Sequence, residues 1–202
     1  MPVHRITLET APDAIAVLCD AFHDYPAMRF VLGPVGDYDA RLRTLVGLFV
    51  MARLARRAPL LGVRGKKGEL LGVATLTVPN EPAPPASFAN WREQLWKELG
   101  EDARGRYEVF SRATRPFESR DPVHHLNMIG VGRGQQGKGI ARVLLEAVHE
   151  LDAAHPGSTG VSLNTEHAPN VALYERFGYR LLGHTRVAPE LETWVMFRPP
   201  GS

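Results

Sequence analysis

Residues 130–141 read GVGRGQQGKGIA, and that stretch meets parts of three phosphate-binding patterns at once. Gly132, Gly134 and Gly137 spell the GxGxxG of a dinucleotide fold; Gly132, Gly137 and Lys138 nearly spell a P-loop; Gln136, Gly139 and Ala141 fit the [RQ]xxGx[GA] turn that grips the pyrophosphate of coenzyme A. Glycine serves all three for one reason. Without a Cβ the backbone turns sharply enough to aim several N–H groups, and a helix N-terminus, at an anion. A P-loop needs Ser or Thr directly after its lysine to hold Mg²⁺, and Gly139 stands there instead. A dinucleotide fingerprint needs an acidic residue about 20 positions on, at the end of the next strand. That strand, GVSLNT, reaches Asn164 before any carboxylate, and too little chain follows for a Rossmann sheet. The coenzyme A pattern survives, with a plain strand-to-helix turn as the structural alternative.

The elements that must position this turn follow from hydrophobic periodicity. VHRITLE alternates as a short strand, and Thr10 with Pro12 starts a helix through DAIAVLCDAF. DYPAMRFVLGP interrupts, and a second amphipathic helix carries Leu42, Leu45, Val46, Phe49 and Leu54 at helical spacing. PLLGVR, GKKG and ELLGVATLTV predict a β-hairpin. A proline-rich stretch and two helical segments then form an insertion at about 79–120. PVHHLNMIGV is the next strand, leading into the glycine turn and a helix with Ala141, Leu144, Leu145, Val148 and Leu151 on one face. GVSLNT, a short helix over NVALYERF, and two last strands in YRLLGHTRV and TWVMFRP complete the chain.

With 202 residues, 44% hydrophobic and 23% charged, one domain over 1–202 is expected. Lys and Arg number 24 against 22 Asp and Glu, so no charge footprint points to nucleic acid or a membrane surface. One cysteine, Cys19, excludes an intrachain disulfide framework and fits a reducing cytoplasm. The first residues carry no apolar leader and no run approaches the roughly 18 apolar residues of a membrane span, so a soluble cytoplasmic protein is expected.

Two separated stretches, HHLNMIGVGRGQQGKGIARVLLEAV and VSLNTEHAPNVALYERFGYRLLG, resemble the two signatures of the Gcn5-related N-acetyltransferase (GNAT) family, in the family's order. AFHDYPAMRF, IGVGRGQQGKGIA, NVALYERFGY and ETWVMFRPPGS are in addition similar to the puromycin N-acetyltransferase-like subgroup. The resemblance implies an α/β acyl-CoA N-acyltransferase fold: a twisted, mostly antiparallel sheet, flanked by helices and splayed between its fourth and fifth strands to admit acetyl-CoA, with no metal. It implies that Ile129, Gly130 and Val131 offer backbone groups to the pantetheine arm and thioester, and that Gln136, Gly137, Lys138, Gly139, Ile140 and Ala141 wrap the pyrophosphate. Asn164 and Asn170 join the cofactor contacts. Tyr174, four residues after Asn170 and on the same helix face, matches the tyrosine that protonates the departing thiolate.

The implied reaction is direct acetyl transfer to a neutral amine, which needs a base. Asn164 stands where puromycin-type enzymes carry a carboxylate, so the candidates are His125, whose ring suits the task, and Glu166, two residues beyond Asn164. Strand alternation puts His125 and Asn127 on one face with Ile129. Phe22, Tyr25 and Phe30, with the aromatics of the insertion, suggest a pocket for a small, partly apolar amine, the protein acting as monomer or homodimer. The missing carboxylate motivates a second possibility: a degenerate domain of this family that binds CoA as a sensor or interaction module without turnover.

Overall fold

The computed structural model describes residues 1–201. A short strand, β1 (Val3–Arg5), leads through a threonine turn to helix α1 (Ala11–Phe22), which has Pro12 in its first turn. Helix α2 (Pro26–Leu32) follows where periodicity indicated only an interruption. Pro26 is a helix starter there, because its fixed φ and missing N–H suit a first helical position. Helix α3 (Tyr38–Ala55) and strands β2 (Leu60–Arg64) and β3 (Leu70–Thr77) form as the pattern predicts. Between β3 and the next strand stand α4 (Ala86–Leu99), α5 (Glu101–Thr114) and a single 3₁₀ turn at Arg115–Phe117.

Strand β4 (His124–Val131), helix α6 (Ile140–Ala153), strand β5 (Val161–Thr165), helix α7 (Pro169–Glu175) and strands β6 (Arg180–Ala188) and β7 (Leu191–Arg198) follow. The seven strands make one sheet in the order β1-β2-β3-β4-β5-β7-β6. Every neighbouring pair is antiparallel except β4 and β5. Each face of the sheet buries its own apolar layer. One is built with α1, α3 and the α4–α5 pair and includes Leu18, Leu45, Val73 and Met128. The other is built with α6 and includes Leu76, Leu126, Leu144 and Leu163.

The β3–β4 ladder shifts register between Thr75 and Leu76, which face Met128 and Leu126 respectively, so Asn127 is an extra residue in β4. Such a bulge resets the alternation. Leu126 packs on the α6 side and Met128 on the α3 side, and Ile129 then turns toward the α6 layer. His125 stays beside Thr77, and Asn127 accepts a hydrogen bond from the Thr77 hydroxyl at 3.2 Å. The sequence expectation that His125, Asn127 and Ile129 share one face is therefore corrected: His125 and Asn127 stay together, and the bulge separates Ile129 from them.

Candidate active site

The glycine turn sits between β4 and α6, and its last residue, Gly139, is the residue before the first turn of that helix. Gly137 and Gly139 have φ of +76° and +78°, the left-handed region, and nothing lies within 4 Å of the Cβ either would carry. No side chain caps the α6 N-terminus. A 14-residue helix thus presents its first-turn amides and the positive end of its dipole to an open cradle. This arrangement fits a pyrophosphate in the chemistry of its donors. Lys138 folds back on the loop, donating to the Gly134 carbonyl at 3.1 Å and to Gln135 Oε1 at 2.8 Å. The side-chain amide of Gln136 reaches the Val131 carbonyl at 3.5 Å.

Two carboxylates, Asp20 on α1 and Asp24 just past its end, hold the turn's entrance. The Arg133 backbone N–H donates to Asp20 Oδ2 at 2.7 Å, and its guanidinium donates to Asp24 Oδ2 at 2.7 Å. Asp24 also accepts from Arg29 at 2.5 Å, and these hydrogen bonds hold its carboxyl well below the usual range. Gly130 allows α1 this close approach, since a Cβ there would stand 2.8 Å from Ala21 Cβ.

Beyond the turn, β4 and β5 part. They pair only at His124 with Val161, His125 with Ser162 and Leu126 with Leu163, although β4 runs on to Val131. Asn164 and Thr165 continue on β7 alone. A cavity of about 860 Å³ opens at the parting, lined by Ile129, Asn164, Glu166, Asn170 and Tyr174 and reaching His125 and Asn127. Of the three aromatics expected at an acceptor pocket, Phe22 and Tyr25 line this cavity and Phe30 does not. Phe30 follows the lining residue Met28 by two positions, roughly 200° around α2, and packs against the apolar layer instead. The insertion contributes Phe88, Trp96, Tyr107, Phe110 and Phe117.

Glu166 lies just past the end of β5 and is buried, at 9% exposure. Its Oε1 accepts a 2.6 Å hydrogen bond from the fully buried Thr193 hydroxyl. Its backbone N–H donates to the Tyr25 hydroxyl at 2.9 Å. Burial pushes the carboxyl up to about 6, against the lowering effect of Thr193. Asn170 spends its Nδ2 on Thr165 Oγ1 at 3.1 Å, leaving its side-chain carbonyl for another partner. Tyr174 is buried, packed edge-on against Tyr179 with centroids 5.6 Å apart. Burial, then the charge of Glu166, raises its hydroxyl pKa well above the ordinary range, so it stays protonated. His125 Nδ1 is 2.9 Å from Ser162 Oγ, and Ser162 donates to the His124 carbonyl at 3.3 Å. Burial and the Arg53 charge hold His125 down to about 4, so its ring is neutral near pH 7. Of the two candidate bases, the one whose proton affinity lies nearer neutrality is Glu166.

Among the described residues no group of three or more His, Cys, Asp or Glu side chains is arranged to hold a metal ion, and no helix is long and apolar enough to cross a membrane. Residues 97–181, from the end of α4 to the start of β6, match a family described as an acetyltransferase (GNAT) domain. A Corynebacterium glutamicum structure described as histone acetyltransferase HPA2 and related acetyltransferase is 21% identical, covers 99% of this chain and 96% of its own, and has a TM-score of 0.73. The ribosomal-protein-S18-alanine N-acetyltransferase of Escherichia coli is 14% identical, covers 100% and 94%, and scores 0.61. The arylalkylamine N-acetyltransferase 2 of Aedes aegypti is 18% identical, covers 99% and 99%, and scores 0.61. At these identities the likeness carries the fold. The shared fold is of the α/β class, with a mostly antiparallel seven-stranded sheet flanked by helices, and the family match lies within it over residues 97–181.

Proposed function

We propose that this chain, acting as one domain, is an acetyl-CoA-dependent N-acetyltransferase that passes an acetyl group directly to the amine of a small, partly apolar acceptor in the cytoplasm. The observation that carries this reading is the cavity at the β4–β5 parting, on whose wall a carboxyl near neutrality, Glu166, and a protonated phenol, Tyr174, stand together. Acetyl-CoA, held by the amides of Gln136 to Ala141 and along Ile129 to Val131, supplies an acyl carbon already activated as a thioester.

Glu166 accepts the proton of the attacking amine at Oε2, the oxygen Thr193 leaves open, directly or through one water. One N–C bond forms as one C–S bond breaks. Tyr174 Oη delivers the proton that the departing sulfur needs. A backbone N–H of the Ile129–Val131 segment stabilises charge developing on the carbonyl oxygen. His125, neutral and tied to Ser162, orients the wall and takes no proton. Within the family we place the chain near the puromycin N-acetyltransferase-like subgroup, while Asn164 in place of a carboxylate argues against puromycin itself as acceptor. The cover formed by α4 and α5, whose aromatics line the cavity, favours a small molecule over a peptide.

The test is release of free CoA thiol from acetyl-CoA across a panel of amines, with Tyr174→Phe as control. Amine-dependent release that the variant loses supports transfer; tight CoA binding with no release for any amine supports the sensor reading in its place.

A further inference from the structure

The α3 wall of the cavity carries a charge that acetyl transfer does not use. Arg53, in the last turn of α3, is 18% exposed; its guanidinium donates to the Thr77 hydroxyl and lies 3.4 Å from Glu81 Oε1. Arg56 lies 3.4 Å from the same oxygen and is 30% exposed. Two guanidinium groups therefore share one carboxylate, and one positive charge is left over on this wall. Both arginines line the cavity, whereas Glu81 stands behind them and does not.

Apart from the buried Glu166 past the end of β5, the other charged groups of the cavity are disposed differently. Arg104 binds Glu93 at 2.8 Å and lies 3.6 Å from Glu108, Arg92 lies 3.9 Å from Glu93, and Glu108, Glu118 and Asp121 are exposed. Exposed charges are screened by water and salt. A half-buried guanidinium with an incomplete complement of acceptors is not, and it gains most from an added oxyanion, which its planar fork can grip through two parallel hydrogen bonds. Burial lowers the pKa of Arg53 against the opposing pull of Glu81, which marks the same shortfall of compensation.

The position of that charge relative to the reacting centre limits the molecule. Arg53 donates to Thr77, and Thr77 donates to Asn127, so the guanidinium stands at the level of Asn127 on β4. Ile129 is two residues further along, roughly 6 to 7 Å of strand. That span suits an acceptor whose anionic group lies one or two carbons from its amine. Beside Arg53 the wall is aromatic: Phe49 and Tyr107 lie 5.7 Å apart and Tyr107 and Trp96 lie 5.0 Å apart, centroid to centroid.

Resting on the acetyl-transfer reading, we propose that Arg53, backed by Arg56, binds a carboxylate of the acceptor, so that the substrate is an amino acid with an apolar or aromatic side chain and not the corresponding simple amine. The experiment compares phenylalanine, tyrosine, tryptophan, leucine and methionine, each with its decarboxylated amine, in wild type, Arg53→Gln and Glu81→Gln. For at least one pair, the expected kcat/KM of wild type is tenfold or more higher for the amino acid. Arg53→Gln collapses that preference severalfold, and Glu81→Gln, by freeing the arginines, increases it. Comparing the same pair across variants cancels the intrinsic difference in amine basicity. Equal or better use of the simple amines by wild type overturns the proposal and leaves acetyl transfer standing. If no amine turns over, acetyl transfer fails, and the carboxylate site is judged by thermal shift in the presence of CoA. Stabilisation by an amino acid but not its amine, lost in Arg53→Gln and kept in Glu81→Gln, upholds it; equal or no stabilisation overturns it.

Discussion

Glu166 combines two roles that pull in opposite directions. Its folded proton affinity is raised from 4.5 to about 6, so the folded state holds the proton more tightly than the unfolded chain. Stability linked to this group is therefore complete below about pH 4.5 and is lost as pH rises through about 6, a cost of about 2 kcal/mol at pH 7. Glu166→Gln is expected to raise the melting temperature at pH 7 by several degrees and to flatten its pH dependence between these values, read by thermal unfolding across pH. Activity moves the other way. The rate of wild type should rise through about pH 6 as the carboxylate forms, and the variant should lose both that limb and most of the rate. Tyr174→Phe is expected to lower kcat by about a hundredfold or more while changing the KM for acetyl-CoA little, because in the proposed reaction the phenol protonates the leaving sulfur.

At the scale of the elements, the glycine turn and α6 work as one unit, and α1 sets their position. Gly139→Ala is expected to cost about 1 kcal/mol for the left-handed backbone. The new Cβ meets no protein atom within 4 Å, so its larger effect falls on the anion cradle, as a severalfold rise in the KM for acetyl-CoA with kcat nearly kept. Asp20→Asn is expected to weaken the hold on the Arg133 amide and raise the same KM by a smaller factor. The ion pair of Arg133 with Asp24 is half exposed, so the hold that it adds on the turn should fade at high salt, which steady-state kinetics across ionic strength checks. Neither of these partners of Arg133 was visible in the chain as a string. Asp20 and Arg133 are 113 residues apart, and no local spacing relates them.

Across the whole molecule, α4 and α5 cover the cavity and are moored to α2. Arg106 on α5 donates to the carbonyls of Val31 at 2.9 Å and Leu32 at 3.0 Å. Arg106→Met keeps the apolar stem and removes both bonds, a loss of about 1 to 3 kcal/mol. The expected result is a raised KM for the amine acceptor with an unchanged KM for acetyl-CoA, since the glycine turn leads into α6, which packs on the opposite face of the sheet from α4 and α5. Equal effects on both would mean that the cover does not shape the acceptor side alone. The order of strands and helices was readable from periodicity, because each amphipathic segment had to bury one stripe or one face. The glycine turn was readable too, because Gly137 and Gly139 meet a backbone requirement that few other residues can meet. The helix at Pro26 was missed because proline both breaks and starts helices, and only the packing of Met28, Val31 and Leu32 against the apolar layer decides between the two. What the sequence determined by itself was therefore local: the elements other than α2 and the left-handed glycine turn, with Glu166 and Tyr174 named as candidates. Tertiary structure alone decided the bulge at Asn127 that turns Ile129 from His125, the burial that separates the proton affinities of His125 and Glu166, and the unbalanced charge at Arg53. Register, desolvation and charge balance depend on neighbours brought from distant parts of the chain, and local spacing carries no record of them.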